Sequence, residues 1–144
     1  MVYVDTSVLV PLFLNEPHSV AAADWYAGET SELAAAAWCI PEFASALGIK
    51  QRTGAIDAQQ AQAAWSRFER MVAADLRLLP VEPASFHRAA ELVRDAASAL
   101  RAGDALHLAC AEAAGATHIA TLDEVMSRNA QRLKIKLVAL RRKP

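Results

Sequence analysis

Four acids in this chain stand where a carboxylate can do chemistry. Asp5 closes the apolar run Val2-Tyr3-Val4 and is followed by two hydroxyls, Thr6 and Ser7. Glu42 falls in the first turn of a helix opened by Pro41, Asp104 in the first turn of another opened by Gly103, and Asp123 just beyond the run His118-Ile119-Ala120-Thr121. A carboxylate directly after a buried strand is costly unless it is paired or binds a cation. Four that converge repel one another and raise each other's pKa. Hard divalent cations relieve that repulsion, and all-oxygen ligation suits Mg²⁺ or Mn²⁺. One or two such ions polarise a phosphodiester and activate a bound water for in-line attack. Thr6, Ser7 and Thr121 are placed to orient the ligands or their waters from behind. Each group also has an ordinary use. Glu42 and Asp104 complement helix dipoles, Asp123 suits an N-cap, and the hydroxyls suit caps and turns.

The elements that would bring these acids together follow from hydrophobic patterning. Residues 2–4 show no polar alternation, as expected of a central strand covered on both faces. Residues 8–14 form a short apolar helix or turn broken by Asn15-Glu16-Pro17, and a helix over 18–27 stops at Gly28. Residues 33–37 read as a buried strand between a polar turn and the helix that Pro41 opens. On that helix Glu42, Ala46 and Ile49 share a face. Asp57 caps the next helix, with Ala61, Ala64, Trp65, Phe68 and Val72 on its buried stripe. Residues 76–81 form a strand that Arg77 and Pro80 mark as an edge. The helix from Pro83 turns Phe86, Ala90, Val93 and Ala97 inward, and the one from Gly103 buries Ala105, Leu108 and Ala109 and ends at Gly115. A strand over 118–121, a helix over 124–133 and a strand over 136–140 complete the chain. Strands alternating with helices, with no hairpin signal, predict an α/β fold with a parallel sheet. In such a sheet, strand ends and the following helix starts share one edge, so all four acids gather there.

A length of 144 residues, without repeat or linker, predicts one domain over 1–144. Net charge is only −1, which excludes a polycation held to nucleic acid by bulk charge, but the distribution is uneven. Residues 124–144 carry seven Lys and Arg against the single acid Glu124. Such an end serves a polyanion or an acidic partner, or is simply solvated. Cys39 and Cys110 have no metal-ligand spacing and lie in Ala-rich apolar stretches, predicting free thiols in a reducing cytoplasm. Neither an export signal nor a membrane span is expected.

At the residues singled out above the sequence resembles the PIN-domain ribonucleases, in particular the VapC-type toxins of bacterial toxin–antitoxin pairs. The matching pieces are VDTSVLV, PEFASAL, GDALHLACA and HIATLDEVM, in this order and over nearly the whole chain. The resemblance implies a three-layer α/β/α fold around a parallel five-stranded sheet of order 3-2-1-4-5. It implies a Mg²⁺-dependent endoribonuclease leaving 5′-phosphate and 3′-hydroxyl ends, with Mn²⁺ able to substitute. Asp5, Glu42 and Asp104 match the three acids that such enzymes share, and Asp123 the more variable fourth. Thr6, Ser7 and Thr121 match positions that often carry hydroxyls or amides. A homodimer is implied, and so is an antitoxin whose tail enters the acidic cleft. Arg128, Arg132 and Lys134 are the candidates to steer the RNA backbone. A PIN-fold RNA-processing nuclease without a toxin role is the nearest alternative.

Other readings fit less well. A haloacid-dehalogenase-like phosphatase needs a second Asp two residues after the first, where this chain has Ser7. A receiver-like signalling domain needs paired acids after strand one, and Asp5 is unpaired. Glu124 competes with Asp123 for the inward position, though the spacing from Thr121 favours Asp123. His107 lies one turn after Asp104 and reads as a packed core residue rather than a ligand. His18, His87 and His118 belong in solvent or at element ends. Trp25, Trp38 and Trp65 are expected in the core or on a dimer surface.

Overall fold

The computed structural model describes residues 1–140, so Arg141, Arg142 and Lys143 of the basic end lie outside the described residues. Strands β1 (Val2–Val4), β2 (Leu33–Ala36), β3 (Leu76–Leu79), β4 (His118–Ala120) and β5 (Lys136–Leu137) form one sheet of order 3-2-1-4-5. Every pairing is parallel, with Val2 opposite Leu33 on one side and His118 on the other. Helices α1 (Thr6–Phe13), α2 (Ser19–Gly28), α3 (Cys39–Arg52), α4 (Ala58–Ala74), α5 (Pro83–Arg94), α6 (Ala102–Ala113) and α7 (Glu124–Arg132) connect and cover it.

Strand side chains alternate between faces, and so divide the core in two. Val2, Val4, Leu33 and Ala35 pack with Val8, Leu9, Phe43, Leu47, Phe68 and Met71 of α1, α3 and α4. Tyr3, Ala34 and Ala36 pack on the other face with Leu108, Ala109 and Ala111 of α6 and with Met126 and Ala130 of α7. The first cluster is held by aromatics: Phe43 and Phe68 stack at 4.1 Å between ring centroids, and Phe13 meets both edge-on. The second is built on alanine, which lets α6 lie close over β1 and β2. Alanine is a poor strand former, so Ala34 to Ala36 are extended because all three pair with β3, Ala34 also with Tyr3 of β1, and because they pack on both faces.

Several local expectations shift. Helix α1 begins at Thr6, so the hydroxyl that follows Asp5 is already helical. On α3 the buried stripe is Cys39, Phe43 and Leu47, while Ile49 is exposed. On α5 the inward residues are Ser85 and Ala89, one position ahead of the stripe predicted through Phe86, Ala90, Val93 and Ala97. Ser85 is small and polar, and apolar periodicity alone points past it to Phe86. The last strand is Lys136–Leu137, shorter than expected. A 3₁₀ turn, Ala96–Ser98, that sequence did not suggest precedes α6. Its end is fixed by Ala99 in the left-handed region and by the Asn129 side chain, whose Nδ2 donates to the Ser98 carbonyl.

Candidate active site

Asp5 sits at the carboxyl end of β1, where its N–H still pairs with the Ala120 carbonyl of β4. It is 4% exposed, and its burial is matched by hydroxyls. Thr121 Oγ1 donates to Asp5 Oδ2 at 2.9 Å and accepts the Asp123 N–H at 3.1 Å. Ser7 Oγ donates to the same oxygen at 2.6 Å and accepts the Leu122 N–H at 2.9 Å. A hydroxyl has one proton, and here the turn after β4 supplies each hydroxyl with a donor, so both protons are directed at Asp5. The other oxygen, Oδ1, faces His107, whose Nε2 is 3.8 Å away.

Glu42, in the first turn of α3, is half-buried and reaches toward the same strand end. Thr6 Oγ1 donates to its Oε1 at 2.8 Å, and His107 Nε2 bonds the same oxygen. Burial would raise the Glu42 pKa, but hydrogen bonds from His107, Thr6 and Trp38 and the charge of His107 hold it below its ordinary value. Gly103, in the first turn of α6, lets these groups close in. A Cβ there would stand 3.3 Å from Trp38 Nε1 and 3.4 Å from Glu42 Oε2.

Asp104, in the same turn, is half-buried, and its pKa is pushed up to about 6. Burial is the larger cause, followed by the negative charges of Asp5, Asp123 and Glu42. Asp123 is the N-cap of α7, its Oδ1 accepting the Met126 N–H at 2.7 Å, whereas Glu124 points to solvent. The helix-cap reading of Asp123 therefore holds, and its charge also reaches Asp104. Carboxylates on one strand end and two other helix starts thus act electrostatically on Asp104.

The donor set is all oxygen and its charges repel, which fits a hard divalent cation. Among the described residues, no three His, Cys, Asp or Glu side chains stand close enough together to enclose an ion as they are placed. The carboxylates are gathered but not drawn in.

The sequence matches the PIN domain family over residues 2–132. The chain belongs to that family. No curated protein sequence is significantly similar to it. Among solved structures, this PIN domain is similar to the sarcin-ricin loop cleaving toxin VapC20 of Mycobacterium tuberculosis, with a TM-score of 0.73, 18% identity and coverage of 90% of this chain and 95% of that one. It is similar to FitAcB from Neisseria gonorrhoeae, at a TM-score of 0.73 and 15% identity over 97% of this chain and 98% of that one. VapBC2 from Rickettsia felis, bound to a DNA fragment from its promoter, aligns at 0.64 and 14% identity over 96% and 98%. At these identities the likeness is one of fold.

The PIN domain does not bring all the expected residues to its acidic edge. Lys134 precedes β5, hence lies on the amino-terminal edge of the sheet, opposite Asp5. Arg132, at the far end of α7, is 3.9 Å from Asp95. Arg128 is exposed in the middle of α7. A basic residue that the sequence reading passed over is nearer: Arg101 is the exposed N-cap of α6, three positions before Asp104. His107 is fully buried, as its apolar helix predicted, yet it touches Glu42 and faces Asp5. Its spacing of three from Asp104 puts both on one face of α6, and that was the signal available. Trp38 was expected in a core or a dimer surface. It is 39% exposed and shares an open apolar patch with Phe86 and Val93.

Proposed function

We propose that this PIN domain is a divalent-cation-dependent endoribonuclease that acts as the toxin of a toxin–antitoxin pair. The feature that carries the reading is the delivery of Asp5, Glu42, Asp104 and Asp123 by one strand end and three helix starts, where burial and then the charges of Asp5, Asp123 and Glu42 push the Asp104 pKa up to about 6. Carboxylates that repel one another in this way are relieved by a dication. Asp5, Glu42, Asp104 and Asp123 are the residues to hold Mg²⁺, or Mn²⁺ in its place. When bound, the cation supplies a Lewis acid for the phosphodiester and a water of lowered pKa. The chain's own part is to present oxygens. Ser7 and Thr121 hold Asp5 Oδ2, while Oδ1 stands on the side of His107. Thr6 and His107 hold Glu42.

The toxin role is supported by the likeness to VapC20, itself a toxin, and to FitAcB and VapBC2. An antitoxin is then the natural protein partner, and RNA the substrate. A homodimer is supported by the open patch of Trp38, Phe86 and Val93 beside the acidic edge. A cytoplasmic location agrees with two free, buried cysteines, and no helix among the described residues is long and apolar enough to cross a membrane. Arg101 and Arg128 are the basic side chains offered to an RNA backbone.

The test is cleavage of RNA by the purified protein with Mg²⁺ or Mn²⁺, with EDTA, and by the Asp5→Asn variant. Cleavage confined to the metal-loaded wild type supports the reading. Equal cleavage by Asp5→Asn excludes it.

A further inference from the structure

The chain enters α6 through a backbone conformation that side chains rarely adopt. Ala99, just after the 3₁₀ turn Ala96–Ser98, has a φ of 56°, in the left-handed region that favours glycine. Such a residue persists only where its surroundings over-determine it. Here two polar side chains do so. Ser98 Oγ donates to the Leu92 carbonyl of α5 at 3.0 Å and accepts the Leu100 N–H at 3.2 Å. The Ser98 carbonyl accepts from Asn129 Nδ2 of α7 at 2.9 Å. The residues on either side of Ala99 are thereby tied to the two helices flanking α6 in sequence, and Leu100 is itself buried in the core.

Asn129 stands out on its own helix. It lies between Met126 and Ala130 on the buried stripe of α7 and is 6% exposed. A buried amide is costly unless it is bonded. Both Nδ2 protons are spent, one on the Ser98 carbonyl and one on the Val125 carbonyl at 2.8 Å, a turn back along α7. The flipped amide would set an oxygen against two carbonyl oxygens, which fixes its orientation. A leucine at this position would pack but could not bond Ser98. The bond matters because α6 lacks a cap of its own. Asp57 and Asp123 cap α4 and α7 with their side chains, whereas the N-cap Arg101 makes no such bond. Where the first turn of α6 begins is therefore left to the turn before it.

We propose that Asn129 is a positioning residue for Asp104. It clamps the turn at Ser98 to Leu100 and so sets where α6 starts relative to α7, the helix that carries Asp123 at its own N-cap. The consequence for cation binding rests on the metal-dependent function proposed above, whereas the clamp is made of protein alone. Ser98 stands six positions before Asp104, and the last three of these, Ala102 to Asp104, are already helical. A shift of the turn is thus passed along a short, stiff segment to the carboxylate and to Arg101. Contacts that act through such a segment change binding at a remote site by about two- to thirtyfold.

The test compares the wild type with Asn129→Ala by two readouts. The first is amide hydrogen exchange of the metal-free proteins, resolved by residue in NMR spectra. Leu100 N–H lies in the clamped turn, Ala105 N–H makes the first bond of α6 to the Arg101 carbonyl, and Asp5 N–H joins β1 to β4. Exchange at Leu100 and Ala105 is expected to rise about tenfold or more relative to Asp5. A rise by one common factor at all three is what lost global stability gives, and it overturns the proposal. The second readout is Mn²⁺ affinity by calorimetry, expected to weaken about fivefold in Asn129→Ala. Equal affinity in the wild type and a folded Asn129→Ala overturns the positioning role. Met71→Ala, a change in the other half of the core, is expected to lower the melting temperature and keep the affinity. An equal loss of affinity in Met71→Ala assigns the effect to stability and also overturns the role. Should Asn129→Ala fail to fold, Ser98→Ala, which removes the acceptor of the Leu100 N–H, decides by the same two readouts. A wild type with no Mn²⁺ affinity removes the proposed function instead, and the exchange result then decides whether Asn129 sets the start of α6.

Discussion

Thr121 Oγ1 lies 2.9 Å from Asp5 Oδ2 and takes the Asp123 N–H at 3.1 Å, so one hydroxyl ties the ends of two neighbouring strands to the start of α7. It donates once and accepts once, both within the site, and both partners lose something if it goes. Thr121→Val keeps the shape and removes both bonds. It is expected to destabilise the fold by about 1–3 kcal/mol, because a carboxylate oxygen and an N–H are left short of partners. Denaturant unfolding measures this. Divalent-cation affinity should fall with it, while secondary structure is retained.

Asp104 makes the metal-free protein sensitive to pH. Its folded pKa of about 6 lies above the ordinary 3.8, so the folded chain holds the proton more tightly than the unfolded one. That contribution to stability is fully present below the unfolded value and is lost as pH rises through the folded value. Asp104→Asn, which mimics the protonated acid, is therefore expected to raise the melting temperature in EDTA near neutral pH by about 2–4 °C. The gain should shrink toward about pH 4.5, where the native side chain is itself largely protonated. Calorimetry at the two pH values checks this, and an equal gain at both would count against it.

Phe86 is 55% exposed on α5, beside Trp38 and Val93. Phe86→Glu should leave the monomer's stability within about 0.5 kcal/mol, because the side chain buries little within the chain. It should turn a dimeric wild type into a monomer in analytical ultracentrifugation.

Arg101 stands at the N-cap of α6, next to the turn that carries Asp104. If it meets an RNA phosphate, Arg101→Ala weakens binding at low salt and lowers the slope of log K against log salt by about 1. Lys134→Ala, on the opposite edge of the sheet, should leave that slope unchanged. Filter binding across a salt series separates the two.

Much of this was legible in the residues, and the reasons differ by element. The unbroken run Val2-Tyr3-Val4 reads as a strand buried on both faces, and it lies between β2 and β4 with Asp5 at its carboxyl end. Glu42, Asp104 and Asp123 follow from helix starts, since the topology of a parallel sheet delivers those to one edge. Burial on α5 was read one residue too late because Phe86 is apolar and Ser85 is not. Yet Ser85 faces α6, where a small residue fits, and Phe86 is left to solvent. For the basic residues near the end of the chain, charge suggests a polyanion or a solvated surface alike, and charge carries no edge. The partnership of His107 with Tyr3 joins residues more than a hundred positions apart, and no local pattern encodes that contact.

The strand order has a consequence for the chain while it is being made. β1 is synthesised first but lies between β2 and β4, so its second neighbour appears only after some four-fifths of the chain has been added. A chain ending before Asp104 owns Asp5 and Glu42 but lacks the other two acids, the His107 that grips Glu42 and the Thr121 that grips Asp5. Early termination products and amino-terminal fragments therefore lack half of the proposed site. The activity proposed for it is expected only once the β1–β4 pair has closed.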